Sequence, residues 1–298
     1  MAHLAISDRR LPDPAALAMA LAETAPGAPI VVMIHGYRFE PDTPHNDPHR
    51  HILSPAPERG CWKAVSWPRH LGLMGRRGLA IGFGWQARGT IWQAHRGAAR
   101  TGRRLCRLLA ALHATAPDRP LHIFAHSLGA RVALTALDGL PAGAVGRIIL
   151  LSAAAFRHEA RAALATPAGA QAEVINVRGR ENTLFDLMLR AALPLHGPTL
   201  GAGFAAANWL DLPLHDAGAR DRLRALGYRI AAHRARVCHW SGYLRPGVWR
   251  FYRAVLHHPA QTPLPLLRAQ IHPAPAQTTR RRGFGAFLPL PFGWHRPS

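Results

Sequence analysis

The feature that most constrains this chain is an alternation of short apolar runs with helix-length segments. Ile30–Ile34 reads IVVMI, residues 79–85 read LAIGFGW, 121–125 read LHIFA, 147–152 read RIILLS, and Glu173–Arg178 reads EVINVR. Between the second and third runs, residues 90–115 place Leu105, Leu108, Leu109 and Leu112 at the period of a helix. Further helices are expected at 128–137, 184–192 and 218–226, and a last short strand at 236–239. Strands separated by helices require crossover connections and hence a largely parallel sheet. A run such as IVVMI, apolar at every position, suits a strand covered on both faces. The expected fold class is therefore α/β, with a mostly parallel central sheet flanked by helices in three layers.

The 298 residues suffice for one large domain. Its expected extent is 1–258. Two irregular stretches, 38–60 and 192–217, are candidate lid or cap loops, since long aperiodic loops are often functional. Residues 259–298 are rich in proline, lack Asp and Glu, and contain an arginine run at 280–282. They are expected to form a tail.

The formal charge is +21, yet Lys63 is the sole lysine and the arginines are scattered. That distribution reads as compositional bias, so no specific nucleic-acid partner is expected. No apolar run approaches the roughly 18–20 residues of a membrane span. The apolar stretch 15–22 is short and follows Asp8 and Asp13, and Asp13-Pro14 reads as a helix start rather than part of a leader. A cytoplasmic location is expected. The three cysteines, Cys61, Cys106 and Cys238, have no CxxC spacing and read as reduced thiols. No histidine or cysteine pattern has zinc spacing, so no metal and no cofactor are expected.

Residues 121–130 read LHIFAHSLGA. A strand and a helix meet there at Ala125-His126-Ser127-Leu128-Gly129. A turn this tight needs small residues two before and two after its serine, and Ala125 and Gly129 supply them. The turn would lift Ser127 Oγ above the sheet edge at the positive end of a helix. In this the chain resembles the α/β-hydrolase superfamily, whose pattern is G-x-S-x-G, with Ala125 standing for the first glycine. IVVMIHGYR adds His35-Gly36 directly after a buried strand. In the resembling family that position supplies one oxyanion-hole donor. Carried over, the donors are the backbone N–H of Tyr37 (or Arg38) and of Leu128.

The resemblance implies the order serine, acid, histidine, because a serine hydroxyl needs a base and the base an orienting partner. The acid should lie beyond EVINVR. Glu181 is the expected residue and Asp186 the alternative, while Asn182 and Thr183 occupy places where the family often has aspartate. For the base, His239 follows a short apparent strand and precedes a loop, with His215 the alternative. His126 abuts the serine, and its expected role is packing or hydrogen bonding within the turn. Trp85 and Trp209 are candidates for lining an acyl pocket.

The resemblance implies a serine hydrolase acting on a small-molecule ester or thioester through an acyl-enzyme. An acyltransferase using the same site is the nearest alternative. A catalytically inert hydrolase fold that binds through its basic surface is another.

Overall fold

The computed structural model describes residues 2–58 and 60–272. Seven strands form one parallel sheet. In chain order they are β1 (His3–Ser7), β2 (Ile30–Ile34), β3 (Leu79–Gly84), β4 (Leu121–His126), β5 (Arg147–Leu151), β6 (Glu173–Arg178) and β7 (Trp209–Pro213). Their spatial order is β1-β3-β2-β4-β5-β6-β7, and every pairing is parallel. β2 and β4 lie side by side at the centre, with Ile34 opposite Ala125. This register sets the two turns of interest, at His35-Gly36 and at Ser127, next to each other.

IVVMI is completely buried, as a strand covered on both faces must be. Ile30, Val32 and Ile34 enter one apolar layer with the helix Ile91–Thr115. Val31 and Met33 enter the other with the helix Val248–His257. The alternation follows from the two-residue period of a strand. Thr90 starts the long helix with a reciprocal cap, its hydroxyl taking the Gln93 N–H while Gln93 accepts the Thr90 N–H.

Several stretches fold differently from expectation. The stretch 192–217 contains β7, the edge strand of the sheet, at its C-terminal end. The stretch 38–60 is anchored by Ile52 and Leu53, which are fully buried in the second apolar layer. The packed chain also runs past 258. The helix Leu264–Ile271 buries Leu264, Leu267 and Ile271 in that layer. Arg147, itself buried on β5, pairs with Glu173 at 2.6 Å and donates to the Thr262 hydroxyl at 2.8 Å, fastening this segment to the sheet. The arginine run at 280–282 lies outside the described residues. Residues 236–239 form no strand and belong to an irregular loop before the short helix Ser241–Leu244. Among the described residues, no helix is long and apolar enough to cross a membrane.

Candidate active site

Ser127 follows β4 and precedes the helix Gly129–Thr135. Its φ is +54°, a left-handed conformation that a serine adopts only where the surroundings impose it. Two glycines show how tight those surroundings are. A Cβ on Gly129 would stand 2.6 Å from the His35 carbonyl oxygen and 2.8 Å from that of Ile34. A Cβ on Gly36 would stand 2.6 Å from Ser127 Cβ. The turn after β2 and the turn after β4 therefore fit only because both residues lack side chains.

His239 meets Ser127 from a loop 112 residues later. Its Nε2 accepts from the Ser127 hydroxyl at 2.7 Å. On the other side of the ring, Nδ1–H donates to Asn182 Oδ1 at 2.6 Å. This pairing fixes the tautomer, leaving the Nε2 lone pair facing the serine proton. Burial first, then the neighbouring His126 and Lys63, hold the His239 pKa well below the ordinary imidazole value, so the ring is neutral at neutral pH. Phe185 stacks on the ring at 4.6 Å.

The third position departs from expectation. Glu181, the expected acid, does not reach His239. It forms a buried ion pair with Arg245 instead. Burial pushes its pKa up, but hydrogen bonds from Ser241 and its own backbone, with the Arg245 charge, outweigh this and leave it below the usual value. The cause is local geometry. Arg180–Asn182 forms a 3₁₀ turn, in which successive side chains point about 120° apart. One residue decides which side chain faces His239, and that residue is Asn182. Glu181 still contributes through its backbone, since its carbonyl accepts the Cys238 N–H at 2.8 Å and ties down the residue before His239. Asp186 lies on the helix Thr183–Ala192 and accepts from the Thr199 hydroxyl at 2.6 Å. Burial raises its pKa. His215 is exposed and lines a separate pocket with Glu181.

The two expected oxyanion donors are open. Among the described residues, the N–H groups of Tyr37 and Leu128 have no hydrogen-bond partner, whereas Arg38 N–H is occupied by the Ala87 carbonyl at 2.9 Å. His35 braces this turn. Its Nδ1–H donates to the Gly36 carbonyl and its Nε2 accepts the Trp85 N–H, both at 2.9 Å. Burial lowers its pKa to about 3, which keeps that pattern of one donor and one acceptor intact.

Both candidate tryptophans are buried. Trp85 is fully buried, stacks on His35 and donates its indole N–H to the His35 carbonyl at 3.0 Å, so it supports the turn from beneath. Trp209 opens β7 opposite Val174, near the start of β6, whereas Ser127 lies beyond the end of β4. In a parallel sheet these are opposite edges.

His126 has a role that its position in the sequence only hinted at. Its Nε2–H donates to the His239 carbonyl at 3.0 Å, anchoring the loop that carries His239. Burial lowers its pKa to about 4, so it is neutral and donates from one nitrogen only.

A second cluster assembles away from the serine. His95, Glu159 and His196 bring potential metal-ligand atoms within 4.8 Å of one another. They come from three separate elements, so sequence spacing gave no sign of them. The Arg131 guanidinium sits among them and pairs with Glu159, supplying a cation there already.

Residues 81–178, from within β3 to the end of β6, match a family model described as alpha/beta hydrolase. Among solved structures, the chain aligns with a Trichoderma reesei cutinase in complex with a C11Y4 phosphonate inhibitor, at 12% identity and a TM-score of 0.33, covering 85% of this chain and 84% of that one. No curated protein matches. The matched segment contains β4 to β6 and the tight strand-turn-helix at Ser127, so over this part the chain is similar to the alpha/beta hydrolases.

Proposed function

We propose that the chain is a serine hydrolase that cleaves a carboxylic ester or thioester through an acyl-enzyme. The observation that carries this reading is the run of hydrogen bonds from Ser127 Oγ to His239 to Asn182. His239 takes the hydroxyl proton as Ser127 Oγ attacks the carbonyl carbon, and the carbonyl oxygen gains negative charge. The N–H groups of Tyr37 and Leu128 receive that oxygen. His239⁺ then protonates the departing alkoxide or thiolate as the tetrahedral centre collapses. Water attacks the acyl-enzyme by the same proton path in reverse, releasing the acid and restoring the serine.

Asn182 orients the imidazole as the neutral third member of the triad, a role amides fill in some nucleophilic hydrolases. It holds the ring without offsetting the imidazolium charge. The neutral partner is also the observation that favours the alternative of an inert, binding hydrolase fold. Turnover of short-chain and long-chain p-nitrophenyl esters by wild type, Ser127→Ala and His239→Ala separates the two. The proposal expects turnover by wild type that falls by about 10³ or more in either variant. Equal rates in all three proteins would favour the binding fold.

A further inference from the structure

The loops that carry Asn182 and His239 also enclose a basic pocket that the hydrolase reading does not use. It has a volume of about 200 Å³ and is lined by Arg180, Arg220, Arg236 and Arg245. Glu181 is the single carboxylate on its wall. That carboxylate is already committed to Arg245, so three guanidinium groups face the space without a carboxylate of their own. Arg220 donates to the Leu214 carbonyl at 2.9 Å, a neutral partner. The side chains of Arg180 and Arg236 have no hydrogen-bond partner among the described residues. Arg245 is 1% exposed, and its Nε is buried with no partner.

Two histidines complete the wall. His233 Nδ1 lies 3.2 Å from the Ala235 N–H nitrogen and 3.3 Å from the Ala235 carbonyl oxygen. His215 shows the sign of the local field. Burial first, then Arg178 and Arg180, lower its pKa, and the Glu181 charge only partly opposes them.

We propose that this pocket binds a phosphate-class oxyanion, held by Arg180, Arg220 and Arg236 around the rim, with Arg245 beneath. Guanidinium groups present paired, fixed donors that match the oxygens of a phosphate, and a partly enclosed site strengthens each such contact relative to water. A free phosphate and the phosphate of an anionic lipid headgroup offer the same chemistry. The inference does not depend on ester turnover and is tested by binding alone.

The test is calorimetric titration of the full chain with inorganic phosphate, at constant ionic strength set with chloride. The variants are Arg180→Gln/Arg236→Gln and, as a charge-matched control, Arg103→Gln/Arg107→Gln on the exposed face of the long helix. The expected result is saturable binding that weakens about tenfold or more in the first variant and stays unchanged in the second. A second arm measures sedimentation with vesicles of phosphatidylglycerol against phosphatidylcholine. Phosphatidylglycerol binding that inorganic phosphate competes away, and that the first variant loses, identifies a headgroup as the source. Phosphate binding without vesicle binding identifies a free phosphate. Absence of saturable phosphate binding, or equal loss in both variants, overturns the proposal, since the charge would then act without a site.

Discussion

A neutral amide behind an imidazole holds the tautomer but leaves the positive charge of the protonated ring without a counter-charge. Asn182 stands in this relation to His239, and burial further disfavours the charged ring. Activity that depends on neutral His239 is therefore expected to persist through neutral pH and to fall only below the ordinary imidazole range. Asn182→Asp should reverse part of this: a carboxylate at 2.6 Å favours the charged ring and moves the acid limb of the kcat/KM profile up by about 1–3 pH units. An unmoved acid limb in a variant that still turns over ester would show that Asn182 does not govern the base. Asn182→Ala should cut turnover about a hundredfold, through loss of ring orientation. At this scale the sequence pointed to Ser127 and His239, which the structure brings into hydrogen-bond contact, because a tight strand-turn-helix needs small flanking residues and the resemblance expects a late histidine. It did not disclose the third partner. Glu181 and Asn182 are neighbours in a 3₁₀ turn, and the roughly 120° between their side chains is invisible to spacing.

The inner strands β2 to β6 were legible at the scale of elements, and the two edge strands were not. β1 is only partly buried, and β7 interrupts its apolar residues with Asp211 and ends at Pro213. An edge strand is not obliged to be apolar throughout, and it tolerates proline. At 236–239 the β-prone Val237 suggests a strand, but Val237 is 50% exposed and only Cys238 is buried, so the segment stays a loop. The helix Leu264–Ile271 was masked by the prolines around it. Its packing gives a stability prediction: Leu267→Ala removes a 1%-exposed side chain and should cost about 2–5 kcal/mol, read from the midpoint of denaturant unfolding. If that helix were merely draped on the surface, the midpoint would not change. The contact between the two central turns gives another. Gly36→Ala forces a Cβ to within 2.6 Å of Ser127 Cβ, and the displaced serine should lose about a hundredfold in turnover. Wild-type rates in that variant would show that the turns are looser than described.

For the whole molecule, the buried histidines couple stability to pH. His35 and His122 have pKa values lowered to about 3, and His126 to about 4, in each case chiefly by burial. In the unfolded chain each returns to about 6.5. Between these values the unfolded state binds more protons, so stability is full above about pH 6.5 and falls as the pH drops below it. Each histidine contributes a loss of ~1.4 kcal/mol per pH unit within its window. A Tm that declines steeply from pH 6.5 to 4.5 is expected from calorimetry, and a flat Tm would contradict the burial of these rings as neutral groups. The net charge of +21 adds self-repulsion that salt should relieve. The central arrangement is a strained serine in the middle of a parallel sheet, hydrogen-bonded to His239. The most direct test is intact-mass measurement after incubation with a fluorophosphonate, for wild type and Ser127→Ala. A single phosphonate adduct on wild type, mapped to Ser127 and absent from the variant, is the predicted result. Well-folded wild type that gains no mass, or an adduct that persists in the variant, would contradict an activated Ser127.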